Sequence, residues 1–100
     1  MAKKRVKPDA YERSILTEDM EHCFRCGRSP VQMHHIFGSF NRDKATMDDM
    51  IVPLCWECHM RLHNERSQRM NYSLKRLAQA AYEEAHSREE FRQRYGKSYL

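Results

Sequence analysis

Every cysteine of the chain lies in one of two CxxC pairs, Cys23-Phe-Arg-Cys26 and Cys55-Trp-Glu-Cys58. Two residues between cysteines let both sulfurs reach one tetrahedral ion, and Gly27 permits the tight turn behind the first pair. Two such pairs, separated by a hairpin-sized segment, predict a four-cysteine Zn²⁺ site. The other readings are buried free thiols, or a mixed site in which His59 replaces a cysteine. At 100 residues the chain makes one domain at most, with a limited core, so a structural metal would contribute heavily to its folding. A disulfide-stapled secreted domain fits less well. Residues 1–22 contain no apolar h-region of a signal peptide, and in a reducing compartment CxxC pairs hold metal rather than disulfides. No apolar run approaches a membrane span, so no membrane partner is expected.

The order of elements follows from periodicity. Residues 1–8, MAKKRVKP, are basic and aperiodic. They read as a solubilising tail or as an arm that contacts phosphates without reading sequence. Residues 9–20 form a short helical segment with Tyr11, Ile15 and Leu16 inward. Val31 to Phe37 alternates as a strand, and Met50 to Leu54 is a second strand with Pro53 near its end or on an edge. The polar stretch between them, GSFNRDKATMDD, reads as an exposed loop. A helix follows Cys55 and carries His59, Leu62 and His63. From Asn71, which stands where a cap is expected, Leu74, Leu77, Ala78, Ala81, Tyr82 and Ala85 share a face at 3.6-residue spacing. Ser87-Arg-Glu-Glu90 has capping-box spacing and opens a last helix with Phe91 and Tyr95 inward, ended by Gly96. The sum is a single α+β domain over residues 1–100. It has a basic tail and short helix over 1–20, a zinc-stapled ββα core over 23–63 and helices over 71–96.

Four of the six histidines lie within residues 23–63. His34 and His35 are adjacent, so on a strand they point to opposite faces. His59 and His63 are four apart, so on a helix they share one face. One strand histidine and the two helix histidines converge on a single ion and leave a coordination position open for a phosphate oxygen or water. His22 has no partner by spacing, and His86 falls at a helix C-terminus, where a cation is favourable.

The order CxxC, HH, CxxCHxxxH over residues 23–63 resembles the HNH endonucleases, and the string HHIFGSFNR looks most like their phage-encoded members. The resemblance implies a small ββα-metal, treble-clef-like zinc finger, here with additional C-terminal helices. It implies a metal-dependent endonuclease that hydrolyses DNA phosphodiester bonds in the cytoplasm of a bacterial or phage-infected cell. Carried over residue by residue, Cys23, Cys26, Cys55 and Cys58 hold the structural Zn²⁺. His34, His59 and His63 hold a catalytic divalent cation (Mg²⁺, Mn²⁺, Ni²⁺ or Zn²⁺), and His35 is the general base. The family's middle asparagine is missing: Met50 stands five before Cys55. Asn41 or Asp49 is the replacement that would order the loop and the base.

The formal charge of +4 and pI of about 9.0 fit a polyanionic partner. Arg42 and Lys44 in the inter-strand segment, with Arg61, Arg66 and Arg69 on or after the histidine helix, are the candidate phosphate contacts. No separate recognition helix is visible, so sequence preference from this chain alone should be weak, with specificity supplied by a protein partner or by DNA structure. A zinc-stapled DNA-binding or interaction module without cleavage is the competing expectation. Met50 favours it, and the complete histidine set opposes it.

Overall fold

In the computed structural model, which describes residues 12–100, a two-stranded sheet is wrapped by four helices. Strand β1 (Gln32–His35) pairs antiparallel with β2 (Ile51–Leu54). The register sets His34 opposite Val52 and His35 opposite Ile51. Between the strands lie a 3₁₀ turn (Ser39–Asn41) and helix α1 (Arg42–Met47). Helix α2 (Trp56–Asn64) leaves β2 directly, followed by α3 (Arg69–Tyr82) and α4 (Arg88–Tyr95). This is the small α+β arrangement expected, and no helix is long and apolar enough to cross a membrane.

Two strands alone are marginal in water, so the sheet needs a cover. Val52 and Leu54 from β2, Leu62 from α2 and Leu74 and Ala78 from α3 supply it, all 5% exposed or less. The C-terminal helices add an aromatic cluster. Phe37 packs on Tyr95 at 4.7 Å between ring centroids, and Phe91 on Tyr95 at 4.8 Å. Helix α4 has the expected capping box: Ser87 Oγ accepts from Glu90 N–H, and the Glu90 carboxylate accepts from Ser87 N–H. Gly96 ends it with φ of 100°, in the left-handed region that a glycine adopts at little cost.

Several expectations are corrected. The stretch read as an open loop contains α1, six residues long, with Ala45 and Thr46 buried. So short a helix is not stable by propensity, and tertiary contacts hold it. Lys44 Nζ donates to Arg94 O at 2.8 Å, Asn41 Nδ2 donates to Tyr95 O at 3.2 Å, and Arg94 Nε pairs with Asp48 at 2.6 Å. Two of these bonds also satisfy carbonyls in the last turn of α4, which have no intrahelical partner. Residues 12–20 carry turns and bends instead of helix, although Ile15 and Leu16 do pack against the core; residues 9–11 of that segment, and the tail, lie outside the described residues. Helix α3 begins at Arg69 with Gln68 as its N-cap, so Asn71 is inside the helix. Leu77 and Ala85 are exposed, while Gln79 is fully buried. Gln79 bonds to Glu83, Ser98 and Tyr99, and so ties the C-terminal segment to α3.

Candidate metal centre and histidine cleft

The first CxxC pair sits in a loop that hangs from the sheet, since Phe24 N–H donates to Pro53 O at 2.7 Å. Gly27, at φ of 83°, turns the chain so that its N–H reaches Cys23 O. The second pair straddles the start of α2: Cys55 is the N-cap and its sulfur accepts from Cys58 N–H at 3.5 Å. The four sulfurs lie within 4.8 Å of one another, with Cys26 and Cys55 3.6 Å apart. A tetrahedron of Zn–S bonds near 2.3 Å has edges of about 3.8 Å, so the set fits one zinc ion. Cys23, Cys55 and Cys58 are buried and Cys26 is exposed.

The thiols do not titrate alike. Burial pushes Cys23 up, but N–H groups of Cys55, Cys26 and Arg25 outweigh it and bring the thiol down to about 6. Cys58 is pushed up to about 12 by burial and by its neighbouring thiols, against a bond that Arg25 Nη1 donates to its sulfur at 3.8 Å. A bound cation removes this conflict, because all four sulfurs can then be thiolates.

The histidines form a second group one turn further along α2. His34, on the β1 face towards α2, is 7% exposed. Its ring meets His59 edge-on at 5.2 Å and His63 at 5.8 Å. The ligand nitrogens of His34, His59 and His63 all lie within 4.8 Å of one another, and the Nε2 atoms of His59 and His63 are 3.2 Å apart. Three imidazoles bound at 2.0–2.1 Å to a tetrahedral ion have nitrogens about 3.3 Å apart. His34 Nε2 is buried and has no hydrogen-bond partner, which is costly unless something else occupies it. A cation bound there would satisfy this nitrogen, and the donor set suits it. Burial first, then the neighbouring imidazoles, takes His34 down to about 4. Burial and His63 lower His59. Both rings are therefore neutral at pH 7, as ligation requires.

His59 is also oriented from behind. Gln32 Oε1 stands 2.6 Å from its Nδ1, so this nitrogen carries the proton and Nε2 keeps its lone pair for the site. Gln32 and His34 are two apart on β1 and share a face, a strand signal that would have identified Gln32.

His35 points the other way, towards α1, where Thr46 Oγ1 lies 2.9 Å from its Nε2. It still lines the cleft of about 220 Å³ that contains His34 and His63, together with Gln68, Asn71 and Lys75 from the start of α3. Burial and then Arg42 lower its pKa, so it too is neutral. Of the expected partners, Asn41 Nδ2 donates to Tyr95 O, and Asp49 lies in ion-pair range of Arg13 at 3.8 Å. Thr46, which no motif marks, holds the ring.

Of the candidate phosphate contacts, Arg42 lies near His35 and Lys44 is engaged by Arg94 O. Arg61 is two residues from both helix histidines and so is turned about 200° from each around α2. It lines a separate cleft of about 450 Å³ with Arg69, Phe24 and Arg25, away from the histidines. Arg66 is exposed in the turn after α2. Outside the site, His22 does have a partner, Asp19 at 3.0 Å, and His86 stacks on Tyr82 at 4.2 Å. Compared with protein families, curated proteins and solved structures, the chain matches none.

Proposed function

We propose that the chain is a metal-dependent DNA endonuclease of the HNH type, built as a treble-clef-like ββα-metal finger. The observation that carries the reading is the histidine cleft. Three imidazoles have ligand nitrogens mutually within 4.8 Å, and a fourth histidine on the adjacent strand position lines the same space. Cys23, Cys26, Cys55 and Cys58 hold a structural Zn²⁺; His34, His59 and His63 hold one divalent cation. Imidazole ligands favour later transition metals by affinity, whereas Mg²⁺ and Mn²⁺ are the abundant alternatives. When bound, the cation supplies Lewis-acid stabilisation of charge on the phosphate and on the leaving 3′-oxygen.

The rest is done by the chain's own residues. His35, neutral at pH 7, accepts a proton from the attacking water. Thr46 Oγ1 donates to Arg42 O at 3.1 Å, so it must accept from His35 Nε2–H, and Nδ1 becomes the basic nitrogen. Arg42 supplies phosphate contact next to the base. The substrate is cytoplasmic DNA of a bacterial or phage-infected cell, and a protein partner or DNA structure supplies specificity.

The test is cleavage of supercoiled plasmid by purified protein, wild type beside His35→Ala, with Mg²⁺ or Mn²⁺ and with EDTA. Metal-dependent cutting by wild type, abolished by EDTA and nearly lost in a folded His35→Ala protein, is the expected result. A folded wild type that is inert with every metal yet shifts DNA on a gel overturns the reading in favour of a binding module. Cutting by His35→Ala at the wild-type rate removes the base assignment.

A further inference from the structure

We propose that Lys75, with Asn71 on the same face of α3 and Gln68 at its N-cap, forms an oxyanion-binding wall that takes up a phosphate oxygen of the DNA backbone in the histidine cleft. The identification of that oxyanion as DNA phosphate rests on the endonuclease reading; the anion site itself does not. Asn71 and Lys75 are four apart on α3 and share a face, and Gln68 is the N-cap of the same helix. All three line the cleft that contains His34, His35 and His63.

The charge balance of this cleft is one-sided. None of its lining residues is acidic. Among the described residues, no carboxylate lies within ion-pair distance of Lys75. Its ammonium instead rests over the rings of Phe37, at 5.8 Å, and Tyr99, at 5.3 Å. Aromatic faces attract a cation but leave its full charge outstanding. Lys97 lies over the same Tyr99 ring at 5.1 Å and adds to the positive field. Burial lowers the Lys75 pKa, with Lys97 acting in the same direction and Tyr72 against it. A divalent cation on the three imidazoles would raise the positive charge further. Nothing within the cleft offsets it, so an anion from outside is what the cleft is built to take.

The support beneath Lys75 is fixed. Phe37 is 2% exposed, and Tyr99 N–H donates to Gln79 Oε1 at 2.7 Å, with Gln79 fully buried. Asn71 Nδ2 donates to Gln68 Oε1 at 3.0 Å, so the two amides are ordered with respect to each other. A lysine with a purely structural role lays its stem on apolar surface and extends its head into water. Lys75 instead rests its ammonium over two rings and lines a cleft.

The experiment measures binding of a fluorescently labelled DNA duplex by anisotropy, with zinc-loaded protein and no cleavage metal, over a range of salt concentrations. Wild type is compared with Lys75→Met and Lys75→Arg. Lys75→Met should weaken binding roughly tenfold and lower the slope of log affinity against log salt by about one. Lys75→Arg should stay near wild type. Zinc content and thermal melting show whether each variant is folded; should Lys75→Met not fold, Lys75→Gln, which keeps most of the stem, is read on the same curves. Equal affinity and equal salt slope in wild type and the charge-removing variant overturn the proposal, whatever cleavage does. If wild type cuts no DNA with any metal while removal of the Lys75 charge still weakens binding, the endonuclease reading falls and the anion site stands.

Discussion

Thr46 Oγ1 stands 2.9 Å from His35 Nε2, although the two residues are eleven apart in sequence and lie on different elements. The same hydroxyl donates to the carbonyl of Arg42 one turn back on α1. One side chain therefore sets both the tautomer and the orientation of the proposed base. Thr46→Val keeps the shape and removes the acceptor. A neutral hydrogen bond of this kind contributes about 1 kcal/mol, so plasmid cleavage should fall roughly fivefold to tenfold with little change in melting temperature. Thr46→Ser should recover most of the rate. Equal rates for wild type and Thr46→Val would remove Thr46 from the site.

Gln32 holds His59 in the same manner from the opposite side of the centre. Gln32→Leu leaves His59 Nδ1 without its acceptor and lets the ring choose either tautomer. Affinity of the histidine site for Co²⁺ or Mn²⁺ should drop about tenfold, read by calorimetry or by the visible absorption of Co²⁺. The zinc content of the four-cysteine site should not change.

Removal of that zinc should unfold the protein. Apparent binding energies of structural zinc are about 10–16 kcal/mol, against a total stability of about 5–15 kcal/mol for a typical domain. One zinc per chain by metal analysis, and loss of helical circular dichroism on treatment with a strong chelator under reducing conditions, are the expected results. Cys58→Ser should behave as the chelated protein does. A chelated protein that keeps its full helical signal and its melting transition would show the thiols to be ordinary core residues.

Acid should weaken the fold through His34. In the folded protein this ring titrates near 4, against about 6.5 in an unfolded chain. Between those values the unfolded chain binds a proton that the native state refuses. Stability is therefore full above pH 6.5 and falls as the pH is lowered towards 4, by up to about 3 kcal/mol. Urea midpoints of zinc-loaded protein across this window, with no divalent ion at the histidines, give the slope. His34→Leu should show a slope smaller by about one proton, which separates this effect from loss of zinc at low pH.

The grouping of the four cysteines, that of the three histidines, and most of the element order were legible because short-range spacing encodes them. CxxC gives a shared sulfur site without any knowledge of the fold, and His59 and His63 share a face on any helix. The capping box at Ser87 and Glu90 is equally local. What could not be read depends on contacts across the chain. Helix α1 has too few apolar residues to announce itself, and its stability comes from Lys44 and Asn41 bonding to the end of α4, 50 and 54 residues away. Thr46 and Lys75 belong to no motif: Thr46 meets His35, and Lys75 lines the cleft, only because distant parts of the chain pack together. Leu77, apolar and in phase with its helix, is nonetheless half exposed. Periodicity gives the direction of a side chain and not the presence of anything to cover it.

Helix α2 carries two of the sulfurs at its beginning and two of the imidazoles in the turns that follow, with Cys58 and His59 as neighbours. The distance and angle between the two centres are thus written in the helical repeat itself. Inserting one residue between Cys58 and His59 would swing His59 and His63 together by about 100° around the axis, away from His34, while the sulfurs stayed together. Insertion in the turn over residues 65–68 would leave both sets intact and move only the α3 wall. The spacing from 55 to 63 therefore acts as a ruler: length changes elsewhere alter a boundary, and a length change here separates two chemistries.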